Sequence, residues 1–403
     1  MKKQILFASL VGMVAGVVLI SSPAYAVRVL VTLGSRVQEI DASTNRIVSE
    51  YVDPEGQDLY NADRLPNGHT LIAKHSKVFE IDAGGNIVWQ KDGHNLGYQT
   101  VVFYDAKRLG NGDTLVTGSA YTTSSGPYNP MGAVLQLNPA GQVVWRYEST
   151  PESNFAPIFT GANRLSNGNT LISADGYYGF ALEVNPSGNV VWLYYPLVNN
   201  EYYTDAVYDT HRLPNGNTLI AATTNGPVGV VQEVTPQGQV IPHLWPMEIP
   251  EEVEKVSQFF TYYLDRYSNS PGGRIFVVNA GSSGSQIVWN YGLSYSPRDL
   301  DVIPPMNLSA GGGIRQIVLD WDDYPTSGQF SYEIYRATTS GGPYTYIGFS
   351  GTESRFVDTN VTVGLRYYYV VNITDAGLVS SFSNEASATA TTGPRLRALD
   401  VTF

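Results

Sequence analysis

A ten-residue segment occurs four times in this chain, and the repetition limits the possible folds more than any other feature. The copies are DRLPNGHTLI at 63–72, KRLGNGDTLV at 107–116, NRLSNGNTLI at 163–172 and HRLPNGNTLI at 211–220. Each places Asn-Gly, the dipeptide most typical of a type I′ hairpin turn, before a segment rich in β-branched residues. Each copy therefore predicts a β-hairpin with a type I′ turn.

The similarity between the copies continues beyond the hairpin. A third apolar strand follows each copy, as in VFEID at 78–82, and a glycine-containing turn then leads to a fourth strand such as IVWQ. Four strands per repeat at a period of about 50 residues are typical of propeller blades and not of helical solenoids. The arginine before each turn marks the period, at Arg64, Arg108, Arg164 and Arg212.

The two ends of the repeat region are less regular. Residues 28–52 match the second, third and fourth strands of a blade, and residues 262–292 form a diverged copy with Arg266 at the repeated arginine position. A closed propeller has to cover the edges of its first and last sheets. We therefore expect 296–303 to add the missing strand to the N-terminal sheet, which gives a six-bladed β-propeller over 27–303.

Tryptophans support this register, because they recur at one place in the fourth strand. Repeated aromatic residues of this kind are expected to pack between neighbouring blades. They are Trp89, Trp145, Trp192 and Trp289.

The strand pattern changes at residue 304. Over 304–392 a tryptophan, Trp321, falls on the second predicted strand, and Tyr367 follows a glycine-containing turn. This segment resembles a fibronectin type III domain, which implies an immunoglobulin-like β-sandwich. The resemblance also implies that the Tyr367 hydroxyl binds nearby backbone as a tyrosine corner. Residues 393–403 are expected to form a C-terminal tail.

The N-terminal segment predicts export. Residues 1–26 combine two lysines, an apolar run and a final Ala-Tyr-Ala, the pattern of a cleaved signal peptide, so we expect a secreted or periplasmic protein. No later apolar run is long enough for a membrane span. Loss of the two lysines changes the net charge from −12 to −14. Such an acidic chain is not expected to bind nucleic acid.

The innermost strand of each predicted blade ends at the repeated arginine, and the polar residues before that arginine differ between blades. Side chains at these positions are expected to line the central channel. They are Asp63, Lys107, Asn163, His211 and Asp265 directly before the arginine, and Asn61, Asp105 and Asp209 two residues earlier, a position that Gly161 and Tyr263 hold in the other two copies.

Over 27–303 the repeat xRLPNGNTLI…VVW resembles the blades of arylsulfotransferase-like and quinoprotein-like (PQQ-like) propellers. Quinoprotein dehydrogenases hold a quinone with a stacking tryptophan, calcium ligands and often a cysteine pair. This chain has no cysteine, and its tryptophans recur with the blades. No cofactor is therefore expected. The sequence also contains no H-E-x-x-H motif and no EF-hand-like loop, so no metal site is expected.

The arylsulfotransferase resemblance implies transfer of sulfate between phenols by a channel histidine with cationic support. Of the five histidines only His211 falls on a predicted innermost strand. The resemblance therefore assigns His211 as nucleophile, Asp209 as the group that orients it and Lys107 as the cation. The alternative is that His211 is a polar channel residue bonded to its neighbours.

Two functions remain open from the sequence. The favoured hypothesis is an exported binding or scaffold protein that contacts protein or carbohydrate, because tyrosine-rich loops such as 176–179 and 194–203 are expected at a propeller face. The other is an arylsulfotransferase-like enzyme, which would have only one channel histidine where its family uses several.

Overall fold

The computed structural model describes an all-β chain. The only helix in the described part is the 3₁₀ turn η1 (Gly93–Asn95). The structure describes residues 28–392 except 43, 122–129, 150–157, 166, 177, 197–204, 214, 224–228, 248–249, 256–259, 267–272, 282–283, 294–296, 304, 306, 324–329, 343, 376–377 and 381. It describes only the backbone of the strand residues within 242–263, 265–266, 276–290, 375 and 378–379.

Antiparallel strands fill the region up to residue 302 and group into successive sheets. In the first three sheets they are β1 (Arg28–Leu33), β2 (Arg36–Asp41), β3 (Arg46–Val52), β4 (Asn61–Arg64), β5 (Thr70–Lys74), β6 (Lys77–Ile81), β7 (Ile87–Asp92), β8 (Thr100–Arg108), β9 (Thr114–Tyr121), β10 (Met131–Leu137) and β11 (Val143–Glu148). In the next three sheets they are β12 (Ile158–Arg164), β13 (Thr170–Asp175), β14 (Phe180–Val184), β15 (Val190–Tyr194), β16 (Ala206–Arg212), β17 (Thr218–Thr223), β18 (Gly229–Val234), β19 (Val240–Met247), β20 (Pro250–Lys255), β21 (Phe260–Arg266), β22 (Gly273–Gly281) and β23 (Gly284–Gly292). The last strand of this region, β24 (Pro297–Val302), returns to the first sheet.

These strands form six groups of four, numbered here sheets 1 to 6. Sheet 1 has the order β24-β1-β2-β3, and sheets 2 to 6 each contain four consecutive strands, from β4–β7 to β20–β23. Sheets 4 and 5 are connected by one residue pair, Asp175 with Ala206. The expected completion of the N-terminal sheet is confirmed, because β24 pairs antiparallel with β1 from Val29↔Val302 to Leu33↔Pro297.

The first strand of each sheet lies innermost. Along the series β24, β4, β8, β12, β16 and β20, each strand contacts the next, and β20 contacts β24. The six inner strands therefore form a closed ring, and the remaining three strands of each sheet extend outwards from it.

The predicted hairpins are present, but their turns are not type I′. In the first copy the Gly68 N–H donates to Leu65 O (2.9 Å) and the Leu65 N–H to His69 O (2.8 Å). Gly68 has a φ of 81°, whereas Asn67 is not among the residues with positive φ. This is a three-residue loop with a type I turn followed by a left-handed glycine. Three loop residues separate the strands, so only the last of them needs positive φ.

The repeated arginines and tryptophans connect neighbouring sheets. Arg108 donates to Gly112 O in its own sheet (3.2 Å) and to Glu80 Oε2 of the preceding sheet (2.6 Å), and its guanidinium lies 5.1 Å from the ring centroid of Trp89. Arg164 with Trp145 and Arg212 with Trp192 repeat this stacking. The expected packing of these three tryptophans between sheets is confirmed; the Trp289 side chain lies outside the described residues.

Sheet 6 differs from the expected register by one strand. Its innermost strand is β20, from the segment Pro250–Lys255, and β21 pairs with β20 on one side and β22 on the other. Asp265 and Arg266 are therefore on the second strand, not the innermost one. The expected channel position of Asp265 is corrected by this topology: its backbone lies one strand away from the ring, and its side chain is outside the described residues.

The C-terminal region forms two further sheets that share one core. Their strands are β25 (Ser309–Gly313), β26 (Gln316–Asp320), β27 (Ser331–Ala337), β28 (Thr345–Phe349), β29 (Arg355–Asp358), β30 (Arg366–Asp375), β31 (Leu378–Val379) and β32 (Ala386–Thr389). A three-stranded sheet, β25-β26-β29, faces a five-stranded sheet built on β27 and β30.

Side chains from both C-terminal sheets are buried together, among them Leu319, Trp321 and Ile334. The Thr362 N–H donates to the Tyr367 hydroxyl (3.1 Å), the contact expected of a tyrosine corner. This region is therefore a β-sandwich. Within the described residues, no helix has the length and apolar character needed to cross a membrane.

Candidate functional site

The innermost strands carry a repeated β-bulge. On β8, Phe103 pairs with Gly118 and Asp105 with Thr117, so Tyr104 is an extra residue with no partner of its own on β9. A bulge bends its strand and re-aims the extra side chain. We call this place the bulge position; the register puts Thr160, Tyr208, Glu251 and Arg298 at it in sheets 4, 5, 6 and 1, and Tyr60 directly precedes β4 in sheet 2.

Side chains of five bulge positions meet at one cavity of about 50 Å³ in the ring of inner strands. The rings of Tyr60 and Tyr104 meet edge to face, with centroids 5.3 Å apart, and the Arg298 guanidinium lies 5.6 Å from the Tyr60 centroid. The cavity is therefore lined by both aromatic rings and charged side chains. The lining residues are Tyr60, Tyr104, Thr160, Tyr208 and Arg298 from the bulge positions, and Asp105, Lys107, Gly161, Asp209 and Asp299 from the strands.

The residue after each bulge, called here the first channel position, hydrogen-bonds to the neighbouring sheet. An innermost strand leaves one edge without a partner strand, and the N–H groups on that edge need acceptors. In three successive sheets the acceptor is a side chain at the first channel position of the preceding sheet. The bonds are Ala62 N to Asp299 Oδ2 (2.8 Å), Ala106 N to Asn61 Oδ1 (3.2 Å) and Ala162 N to Asp105 Oδ2 (3.0 Å).

Two residues further along each inner strand is the second channel position. Here Asp301 accepts from the Arg64 N–H (2.8 Å), and Lys107 Nζ donates to Asn163 Oδ1 (3.0 Å). Asp63 and His211 occupy the same position on β4 and β16, where both are half-buried. His211 is not among the residues that line the cavity.

Carboxylates dominate the charge around the ring. The pKa of Asp63 is raised to about 8, mainly by burial and also by the charges of Asp301 and Asp105, whereas Lys107 acts to lower it. Burial also raises the pKa of Asp105, to which the charge of Asp209 contributes. The carboxyl groups of the inner strands therefore disfavour an additional negative charge in the cavity, such as that of an anionic ligand.

The structure brings together seven of the eight residues predicted for the channel. They lie on four consecutive inner strands: Asn61, Asp63, Asp105, Lys107, Asn163, Asp209 and His211. Of the proposed catalytic group, Lys107 and Asp209 border the cavity and His211 lies further along its strand. Among the described residues no group of three or more His, Asp or Glu side chains is arranged to hold a metal ion.

The sequence analysis did not predict the cavity tyrosines or the channel residues on β24 and β20. The tyrosines could have been found from alignment, since YNAD, YDAK and YDTH share one position, and RDLD at 298–301 matches the same pattern. That match also identifies Asp299 and Asp301. On β20 the register places Glu252 and Glu254 at the corresponding backbone positions.

No protein-family model matches the chain. It is 38% identical over 85 residues to an amylopullulanase of Thermoanaerobacterium thermosulfurigenes, which is 21% of this chain and 4% of that protein. It is 32% identical over 104 residues to an amylopullulanase of Thermoanaerobacterium saccharolyticum, which is 26% of this chain and 8% of that protein. The matched segments thus span less than a tenth of these curated relatives.

Among solved structures, a protein of unknown function from Bacteroides caccae superposes with a TM-score of 0.53 at 15% identity, covering 69% of this chain and 98% of that one. This similarity concerns the fold alone. An Fn3-like protein from Clostridium thermocellum is 34% identical over 24% of this chain and 96% of its own, with a TM-score of 0.20. The propeller protein BamB from Moraxella catarrhalis gives 0.33 at 13% identity, covering 88% and 95%.

Proposed function

We propose that this protein is an exported six-bladed β-propeller with a C-terminal fibronectin type III module, and that it binds carbohydrate at the tyrosine-bordered cavity. In this proposal 1–26 is the signal peptide, 27–303 the propeller and 304–392 the module. The closed ring of six inner strands supports the propeller, and the sandwich core with its Tyr367 contact supports the module.

The observation that carries the binding proposal is the convergence of bulged strands on one cavity. Tyr104 and Tyr208, which lie at bulges, and Tyr60, which precedes β4, line the same cavity as Asp105 and Asp209. A sugar presents apolar C–H faces and hydroxyl groups, which suit tyrosine rings and charged hydrogen-bond partners respectively. The amylopullulanases that share part of this sequence are carbohydrate-active enzymes, which agrees with such a ligand.

Binding to polysaccharides tests the proposal directly. The full chain would be titrated with soluble pullulan, starch, xylan and polygalacturonate, and affinity gel shifts or calorimetry would report the dissociation constant. Tyr104→Ala and Tyr208→Ala should each weaken binding about tenfold, since each removes one aromatic face.

A matched control is Tyr346→Ala, because Tyr346 is 49% exposed on β28 of the C-terminal sandwich and does not line the cavity. This variant should bind as the unaltered protein does. If no polysaccharide binds, or if binding survives the loss of both cavity tyrosines, the carbohydrate proposal is overturned.

A further inference from the structure

In sheets 1 to 3 the side chain at the first channel position accepts a hydrogen bond from a backbone N–H of the next sheet. This series of hydrogen bonds, called here the relay, is interrupted at Gly161. In sheet 4 this position carries no side chain, although Asn61, Asp105 and Asp299 occupy it in the three preceding sheets of the ring. The N–H that such a side chain would serve belongs to Thr210. Thr210 pairs with Ile220 as Ala162 pairs with Ile172, so the two residues are equivalent in register.

The cavity reaches Gly161, which is one of its lining residues. A Cβ at this position would lie 3.0 Å from Ser173 Oγ, 3.6 Å from Asp105 Oδ2 and 3.7 Å from Tyr208 O. The place where the preceding sheets hold a carboxylate or amide therefore borders the cavity, has polar atoms around it and is narrowed by the Ser173 hydroxyl.

We propose that a hydroxyl group of a neutral sugar occupies this place over Gly161, accepting from the Thr210 N–H and donating to Asp105. The inference rests on the proposed carbohydrate binding and specifies its ligand class. The sugar would make between sheets 4 and 5 the hydrogen bond that the protein's own side chains make between sheets 1 and 2, 2 and 3, and 3 and 4.

Donor and acceptor requirements select a hydroxyl. The Thr210 N–H needs an acceptor. The Asp105 carboxylate already accepts from the Ala162 N–H and has room only for a further donor, so a group placed between Thr210 and Asp105 has to accept and donate. A hydroxyl can do so. An ammonium group cannot accept, and a carboxylate cannot donate.

Charge excludes acidic sugars on separate grounds. Asp105, Asp209 and Asp299 line the cavity with only Lys107 and Arg298 as cations. Lys107 is already hydrogen-bonded to Asn163. A uronate or sulfate would add a negative charge beside an excess of carboxylates, and repulsion between like charges would weaken its binding.

Rebuilding the missing side chain tests the inference. The double variant Gly161→Asp/Ser173→Ala restores the pairing seen in sheet 5, where Asp209 faces Ala221, and Ser173→Ala removes the 3.0 Å contact with the new Cβ. Relative to Ser173→Ala alone, the double variant should bind pullulan at least about tenfold more weakly, because its own carboxylate fills the place of the sugar hydroxyl.

The same variant should not melt below Ser173→Ala, since the new carboxylate accepts from the Thr210 N–H. Loss of pullulan binding with an unchanged or raised Tm supports the inference, and retained binding overturns it. Gly161→Ala provides the smaller obstruction should the double variant fail to fold, and it should also weaken binding.

The polymer comparison gives an independent readout. The unaltered protein should bind neutral pullulan more tightly than polygalacturonate of similar length. Equal or tighter binding of polygalacturonate overturns the neutral-hydroxyl inference while leaving carbohydrate binding intact. If the tyrosine variants have no effect on either polymer, the proposed function itself fails.

Discussion

Single residues in the ring serve first to satisfy backbone groups, and this explains their chemistry. Asp299 and Asp301 accept from N–H groups of β4, and Asp105 accepts from β12. The carboxylates therefore have structural partners before any ligand is considered. Asp63 differs, because its side chain accepts from the Asn61 amide at 3.4 Å and its pKa is raised to about 8.

This raised pKa predicts the pH dependence of stability. The folded state keeps the Asp63 proton up to about pH 8, whereas the unfolded chain loses it near 3.8. Unfolding then releases a proton between these values, so the free energy of unfolding should fall as the pH rises from about 4 to 8. Asp63→Asn should remove that slope and stabilise the protein at pH 9 by about 1–3 kcal/mol. Urea unfolding at several pH values measures it.

Asp82→Asn is the control of opposite sign. Backbone hydrogen bonding from Asn86 lowers the pKa of Asp82, so this carboxylate contributes stability above pH 4 and loses it as the pH falls. Its replacement should not stabilise the protein at pH 9. Parallel stability curves for Asp63→Asn and the unaltered protein would contradict the role assigned to Asp63.

At the scale of strands and sheets, β24 carries the closure of the ring. Leu300 and Val302 are buried against β1, and Asp299 and Asp301 bind β4. Deleting 294–403 should therefore destabilise the propeller by at least about 3 kcal/mol, from the loss of these two buried side chains alone. Deleting 304–403 retains β24 and should have little effect on the remaining sheets.

Thermal melting of the two truncated chains measures the difference. The double variant Asp299→Ala/Asp301→Ala in the full chain separates hydrogen bonding from apolar burial, and it should fall between the two truncations. Equal melting temperatures for the truncated chains would mean that β24 is not needed to close the ring.

The sequence predicted outer strands better than inner ones. Strands such as β13 and β14 are buried on both faces and read as apolar runs before and after an Asn-Gly or Ser-Gly turn. Inner strands face the channel, so β20 reads as PEEVEK and gives no apolar alternation. Spacing alone consequently aligns Arg266 with the arginines of innermost strands, although it lies on β21.

The cavity itself could be predicted only in part. The polar residues before each repeated arginine identified the channel strands, because they differ between copies whereas the residues from the arginine to the end of the ten-residue segment are nearly the same. The bulge could not be read from the sequence, since a strand with one extra residue reverses the side-chain alternation at that point. Alternation alone therefore does not place Tyr104 and Tyr208 at the channel, and it gives no sign that Gly161 stands where the preceding sheets carry a hydrogen-bonding side chain.

At the scale of the whole molecule, the charge of the ring distinguishes binding from sulfate transfer. A sulfuryl group in transit carries negative charge on its oxygens and needs cations or N–H donors placed around it. The described channel positions hold the carboxylates of Asp105, Asp209, Asp299 and Asp301 against Lys107 and His211, while Asp63 keeps its proton up to about pH 8. Repulsion between these carboxylates and an aryl sulfate opposes both its binding and its reaction.

The unaltered protein should therefore release no phenolate from a chromogenic aryl sulfate with phenol as acceptor, above the rate of a buffer blank. Replacing Asp105 and Asp209 by Asn would reduce the repulsion between the channel and an aryl sulfate. If the channel can transfer sulfate at all, this double variant should show the activity first. Turnover by the unaltered protein that His211→Ala abolishes would overturn the binding proposal and establish His211 as a nucleophile. Turnover that survives His211→Ala would place the reacting group elsewhere than at the second channel position of sheet 5.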